Sequence, residues 1–244
     1  MMCDVYNRAM FKGKRDHIVL AGEPEIRVAI KRSSRSRRLS LRVSHLDGRV
    51  TLTAPNGIAQ RALDSFALEK ADWIRGHVAK RSVTEQVAFD GHVHIEGISC
   101  LISKGSGRSV VRDENTLYVP GSSEVTAAKV QGYLKTLARD RLVAASDFYA
   151  SQVGRPYGKI TLRDTRSRWG SCSHEGHLMY SWRLVMAPAD VLNYVAAHEV
   201  AHLVEMNHSS AFWAVVEKLM PDYATHRLWL RQNGSSLHRY RFSD

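Results

Sequence analysis

Ile26, Val28 and Ile30 alternate with polar residues, as do Leu39, Leu41 and Val43, and then Val50 and Leu52. A period of two marks half-buried strands. Asp47-Gly48 between the last two runs is a hairpin-turn signal, so the region predicts a small antiparallel sheet. After "APNG" the period changes to that of a helix from about residue 59 to residue 80, with Leu63, Phe66, Ala67, Trp73, Ile74 and Val78 close to one face. Short strand candidates follow between Val87 and Val119, broken at "KGSGR". Ser122-Ser123 then offers an N-cap for a long helix. Val130, Tyr133, Leu134, Leu137, Leu142, Ala145, Phe148 and Tyr149 form its apolar stripe, and a Gly-Arg-Pro break at residue 154 ends it.

Two further strand candidates, "KITLRD" and "HLMYSWRLVM", flank the segment "TRSRWGSCS". Pro188 and Asp190 start the next helix. Its order of elements is mixed rather than regularly βαβ, which predicts an α+β fold. The expected division is an N-terminal β-rich domain, antiparallel and carrying one helix, over residues 1–121, and a second domain over residues 122–244. No internal repeat is visible in the sequence.

The helix after Pro188 reads "AAHEVAHLVEMNHSSAFW" from Ala196 to Trp213, with three histidines and a glutamate in an apolar run. On a helix, His198 and His202 project from one face a single turn apart, so both imidazoles can reach one ion. Glu199 lies about 100° around the helix, where it can lean over a metal-bound water without ligating. This is the H-E-x-x-H arrangement of zinc peptidases, with the glutamate as general base. His208 is the candidate third ligand. In a continuing helix it would point about 120° away from His202, so the chain has to turn, and Asn207 suits a left-handed exit. Ser209 or Ser210 can then cap a new helix bearing Phe212, Trp213, Val216 and Leu219.

The competing reading makes His198 and His202 ordinary buried histidines. It leaves two imidazoles to be desolvated on an internal face, a cost that a metal relieves, and the added His208 makes coincidence far rarer than H-E-x-x-H alone. One Zn2+ per chain is therefore expected, with an open fourth position for water, as in catalytic sites. Bound zinc can bring the pKa of its water toward ~7, and Glu199 can take that proton and return it to the leaving group. Mn, Co and Ni also accept imidazoles.

Composition narrows the function classes. The 244 residues are 44% hydrophobic, enough for one large domain or two modest ones. No apolar run approaches the ~18 residues of a membrane span, and the N-terminus shows no secretory signal. Cys3, Cys100 and Cys172 are scattered, which argues for a reducing compartment and predicts a cytoplasmic protein. The net charge is +11, and Arg27, Lys31, Arg32, Arg35, Arg37, Arg38 and Arg42 fall in a stretch without a carboxylate between Glu25 and Asp47. Lys31, Arg32, Arg35, Arg37 and Arg38 form a patch that can attract nucleic acid or another phosphate-rich partner. No nucleic-acid-binding motif accompanies it, which favours a solvated basic edge.

"RSRWGSC", "SWRLVMAP", "YVAAHEVAHLVEMNHSSAFW" and "MPDY", in that order, resemble the YgjP-like metallopeptidases, which are related to SprT-like and WLM-type zincins. "IKRSSRSRRLSLRV", "APNG" and "KADWI" fit the same pattern, so the resemblance runs roughly from Ile26 to Leu230. It implies a zincin-like, gluzincin-type catalytic domain, with His198, His202 and His208 as zinc ligands and Glu199 as catalytic acid/base. The metzincin spacing has the same length, but its glycine position is Glu205 here and no clear Met-turn follows.

Around the ligands, "RSRWGSCS" can present a strand edge to an extended peptide. Arg168, Trp169, Gly170, Ser171 and Arg183 are the candidate substrate-binding residues, with Arg166 beside them. Against this, Trp169 and Trp182 can be core, and the arginines can be paired to acids such as Glu205 or Asp164. Cys172 reads as a small packed residue, His226 and Tyr223 as further groups that can approach the site, and His174 and His177 as solvent-exposed. Three functions compete: peptide-bond hydrolysis on a polypeptide substrate, hydrolysis of a nucleotide phosphoanhydride at the same site, and a nucleic-acid-associated module with structural zinc. The resemblance and the strand geometry favour the first.

Overall fold

The computed structural model describes residues 15–44, 48–79 and 84–242. They divide into two compact units, 1–82 and 83–244. The first contains β1 (His17–Leu20), β2 (Ile26–Arg32), β3 (Ser40–Val43) and β4 (Val50–Ala54), then α1 (Gln60–Glu69) and α2 (Ala71–Ala79). The predicted strands are present, in the order β1-β2-β4-β3. The outer pairs are antiparallel, but the central β2–β4 pair is parallel, with Val28 opposite Val50 and Ile30 opposite Leu52. Such an order needs a crossover, and residues 33–39 supply it. Arg35, Arg37 and Arg38 therefore sit in this connection rather than on a strand pair. Gly48 has φ +68°, as a hairpin turn demands, whereas Asp47 lies outside the described residues.

The helix expected over residues 59–80 is two helices, because the backbone leaves helical geometry at Lys70, which has φ −94° and ψ 9°. Leu63, Ala67 and Ile74 are buried under the sheet with Val28, Val50 and Leu52, while Trp73 faces outward.

The second unit opens with β5 (Glu85–Gln86), followed by β6 (His92–Ile95), β7 (Ile98–Gly105), β8 (Val111–Asp113) and β9 (Thr116–Pro120). The last four form a sheet in the order β6-β7-β9-β8 with a parallel β7–β9 centre. This is the strand order and orientation of the first sheet, repeated without a repeat in the sequence. α3 (Ser123–Val153) follows. Its buried residues Val130, Leu134, Ala138, Leu142, Ala145 and Tyr149 recur at helical spacing, and Phe148 is exposed. Gly154, at φ +65°, closes it. Val93, Ile95, Ile102, Leu117 and Val119 of the sheet share one core with α3 and everything after it. That shared core is why the units part at residues 82 and 83 rather than at 121 and 122, where the sequence pattern changes.

β10 (Ile160–Arg163), β11 (Gly170–Cys172) and β12 (Leu178–Ser181) form a third sheet in the order β10-β12-β11. The strand expected through Met186 stops at Ser181 and gives way to a buried 3-10 turn, Trp182–Met186. Next come α4 (Ala189–Ala201), α5 (Ser210–Leu219), α6 (Tyr223–Asn233), a 3-10 turn over Gly234–His238, and β13 (Tyr240–Arg241), which pairs with β5. α4 lies against α3 and β11, and nine of its thirteen residues are buried. A helix apolar on nearly every side belongs in an interior. No helix among the described residues is long and apolar enough to cross a membrane.

Candidate metal centre and active-site cleft

His198 lies in the last turn of α4, and His202 is its C-cap residue, with φ −67°. The helix stops there through tight turns: the Leu203 N–H donates to Val200 O, and the Val204 and Glu205 N–H groups donate to Ala201 O. Asn207 shapes the return, but not by a left-handed backbone, since it is not among the residues of positive φ. Its side-chain Oδ1 instead accepts from the Ser209 N–H at 3.0 Å, an Asx turn. Ser209 then caps α5 through the Phe212 N–H. The outcome is the one the spacing required: His208 folds back toward α4.

One ligand-type atom from each of His198, His202 and His208 lies within 4.8 Å of the other two. The Nε2 atoms of His198 and His208 are 3.1 Å apart. Two nitrogens on one tetrahedral zinc stand roughly 3.3–3.4 Å apart at the usual bond lengths, so this pair already has nearly that separation. The Nδ1 of His202 donates to Glu205 O at 2.9 Å, which leaves Nε2 as its ligating nitrogen. Phe212 stacks on the His202 ring at 4.4 Å. Burial pushes the His198 pKa down to about 3, assisted by His202, His208 and Arg227, and burial lowers that of His202 as well. Both are thus neutral imidazoles at neutral pH, the form that binds a metal. The donor set fits a divalent cation with borderline-soft preferences. The Nδ1 of His198 is buried with no partner among the described residues.

Glu199 is 5% exposed. Burial pushes its pKa up to about 8, opposed by the charge of Arg168. Its carboxylate lies against Gly170 of β11: a Cβ placed there would be 2.5 Å from Oε1. The glycine of "RWGSC" thereby makes room for the glutamate of α4. A cleft of about 380 Å³ opens beside them, lined by Arg168, Trp169, Gly170, Tyr194, His198, Glu199 and Arg227 among others. Trp169 packs against His238, with ring centroids 5.3 Å apart, and forms one wall.

Arg168, Trp169 and Gly170 thus meet His198 and Glu199 in one cleft. Ser171 points to the opposite face of the sheet, as strand alternation dictates. Arg183 is not in the cleft. Its Nε and Nη2 donate to the two carboxylate oxygens of Asp164 at 2.7 and 3.0 Å, and Nη1 donates to the carbonyls of Leu237 and Tyr240. Trp182 is core, under the Arg183 guanidinium. The Cys172 thiol is pushed up to about 11, by burial and then by Glu199, which keeps it protonated. His226 is held by Asp222 at 2.9 Å, and Tyr223 stacks on Trp213. Neither lines the cleft. His174 is exposed as expected, but His177 is half-buried.

Tyr194, Val195, Arg227, Leu230 and Arg231 also line the cleft, beyond the residues the sequence pattern indicates. Tyr194 lies four residues before His198 and shares its helix face, a signal that was present. Its phenol is pushed up to about 12 by burial. Arg227 of α6 stacks over Trp213 at 4.4 Å, and nothing in the sequence marks it.

Residues 37–233 match a family model for a metallopeptidase domain. The model is described as YgjP-like, and the chain belongs to the YgjP-like metallopeptidase family. Among solved structures, the crystal structure of the metallopeptidase zymogen of Pyrococcus abyssi abylysin is 27% identical over 38% of this chain and 93% of that one, with a TM-score of 0.32. No curated protein matches the chain. Family membership makes the chain a metallopeptidase at that level, a hydrolase acting on polypeptide with a metal ion.

Proposed function

We propose that the chain is a zinc-dependent peptidase in which His198, His202 and His208 hold one ion and Glu199 is the general acid and base. The observation that carries this reading is the convergence of three imidazole nitrogens within 4.8 Å beside a buried glutamate. Zinc held there supplies Lewis acidity, lowers the pKa of water and, as a neighbouring dication, favours the ionised form of Glu199. Glu199 accepts a proton from the attacking water and delivers it to the departing amine. Its position against Gly170 limits it to a short range of motion, which suits a group that must serve both ends of the reaction. Tyr194 and Arg227 line the same cleft, with Arg168 and Arg231, and are among the donors available to the oxygen that gains charge. β11 is paired on one side only among the described residues. Its other edge can accept an extended substrate by strand addition.

Arg168, Trp169 and Gly170 remain the substrate-facing residues in this reading, and Arg183 becomes a structural one. The basic patch keeps Lys31, Arg35, Arg37 and Arg38 available to a phosphate-rich partner, whereas Arg32 is engaged with Ile58 O, Asn56 O and Gln60. Among the described residues Cys100 and Cys172 are unpaired, in keeping with the reducing, cytoplasmic setting of this reading.

The test is the Glu199→Gln substitution, with metal content and hydrolysis measured together. One equivalent of zinc is expected in both proteins, with cleavage of unfolded polypeptide reduced by roughly 10²–10⁴ in the variant. Undiminished cleavage by the variant would overturn the assignment. Incubation with nucleoside triphosphates in place of polypeptide separates phosphoanhydride hydrolysis, which requires the same ion and glutamate but a different substrate.

A further inference from the structure

The β10–β12–β11 sheet has two unlike faces. Ile160 and Leu162 of β10, with Tyr180 and Cys172, point into the core. Lys159, Thr161 and Arg163 alternate with them and point the other way, as the period of two requires. Thr161, Met179 and Ser171 stand opposite one another across the three strands. They floor an open groove of about 530 Å³ whose rim carries Lys159, Arg163, Arg166 and Arg168. Among the described residues no salt bridge engages any of the four, although Arg166 feels the charge of Asp164 and Arg168 that of Glu199. The groove's one carboxylate, Glu175, accepts from the Ser173 hydroxyl at 2.9 Å. Its pKa is lowered chiefly by that bond, so it faces the cations as an anion but is too few to balance them.

Arg168 belongs to both this groove and the cleft that holds Glu199. β11 lies between them, and among the described residues no strand pairs with its outer edge. A polypeptide strand added to that edge sends alternate side chains toward opposite faces of the sheet. One set enters the cleft beside Tyr194 and His198. The other set hangs over the groove, into the field of Lys159, Arg163, Arg166 and Arg168.

We propose that this outward sheet face is a specificity subsite for acidic side chains, so that the preferred substrate is an extended polypeptide carrying Asp or Glu at alternate positions next to the cleaved bond. The inference rests on the peptidase reading and adds the substrate's charge pattern to it. Carboxylates are favoured over a phosphate backbone by the geometry: the cations are spread along a strand whose neighbour offers main-chain pairing, which a peptide can satisfy and a polynucleotide cannot.

The experiment compares three peptides of one length with the same residues in the cleft register and Glu, Gln or Lys in the alternate register. For the zinc-loaded protein, kcat/KM is expected to rank Glu above Gln above Lys, with the Glu peptide about tenfold ahead of the Gln peptide at low salt, as a few exposed ion pairs allow. The lead should shrink as ionic strength rises. In the doubly reversed K159E/R163E protein, both sites being exposed, the Glu-to-Gln ratio should fall to one or below. Equal rates for the three peptides, or an unchanged ratio in the variant, overturn the subsite while leaving the peptidase reading intact. If no peptide is cleaved, binding to the Glu199→Gln protein decides: selective retention of the Glu peptide keeps the subsite and removes the peptidase reading. A single-stranded oligonucleotide of equal charge that displaces the Glu peptide and binds more tightly also overturns it.

Discussion

A methyl group at position 170 would lie 2.5 Å from Oε1 and 2.7 Å from Cδ of Glu199. Neither partner can retreat cheaply, because Gly170 is tied to Tyr180 in the sheet and Glu199 is enclosed in α4. Gly170→Ala is therefore expected to displace the carboxylate by most of an ångström. Misplacement on that scale costs roughly 10² in rate, and overpacking costs about 1–3 kcal/mol of stability. Measured kcat/KM and a melting curve check both; activity within twofold of the parent would show that Glu199 does not depend on this contact. The convergence of His198 and His202 was legible at this scale because H-E-x-x-H places two rings on one helical face without help from the rest of the fold. From the sequence Gly170 reads only as a candidate substrate contact. Its actual burden, an approach between two elements 29 positions apart, has no local signature. Arg183 misled for the same reason, since its partners Asp164, Leu237 and Tyr240 are brought together only by the completed core.

Between α4 and α5 the chain uses eight residues to reverse, and a relay of side-chain acceptors sets the path. Asn207 receives the Ser209 N–H, and Ser209 receives the Phe212 N–H. Phe212 in turn stacks on His202. Asn207→Ala removes the first link and is expected to cost about 1 kcal/mol in stability, the usual loss for a capping-type acceptor. It should also weaken metal binding by about tenfold, since His208 adjoins the turn whereas His198 and His202 are held by α4. Asn207→Asp keeps the acceptor and should restore both. Competition with a chromogenic chelator reads the affinity, and equal affinities for all three proteins would remove the turn from the account. Residue types announced this reversal, but the mechanism differed from the expected left-handed exit, because side-chain capture achieves the turn without positive φ. Strand identities were similarly legible while the parallel centres of the sheets were not. Alternation reports which face is buried, and it carries no information about which neighbour a strand chooses.

The described residues form two separate apolar clusters, one around Val28, Val50, Leu52, Leu63 and Ile74, the other running from Val93 through α3 and α4 to Phe242. His198, His202 and His208 all lie in the unit of residues 83–244, which holds the second. Binding an ion to the folded state alone stabilises by RT ln(1 + [L]/Kd), about 4 kcal/mol at a thousandfold excess over Kd. For a unit of residues 83–244 that corresponds to a shift of roughly 10 °C in melting temperature. Calorimetry on the intact chain is therefore expected to show two transitions. Chelation should lower the one belonging to residues 83–244 by about that amount and leave the other in place. His202→Ala should already melt at the chelated temperature and respond to neither zinc nor chelator. A single transition that moves as a whole would mean that the two cores unfold together. A pair in which neither moves would mean that the imidazoles of α4 and its following turn hold no ion, and the hydrolytic reading would fall with them.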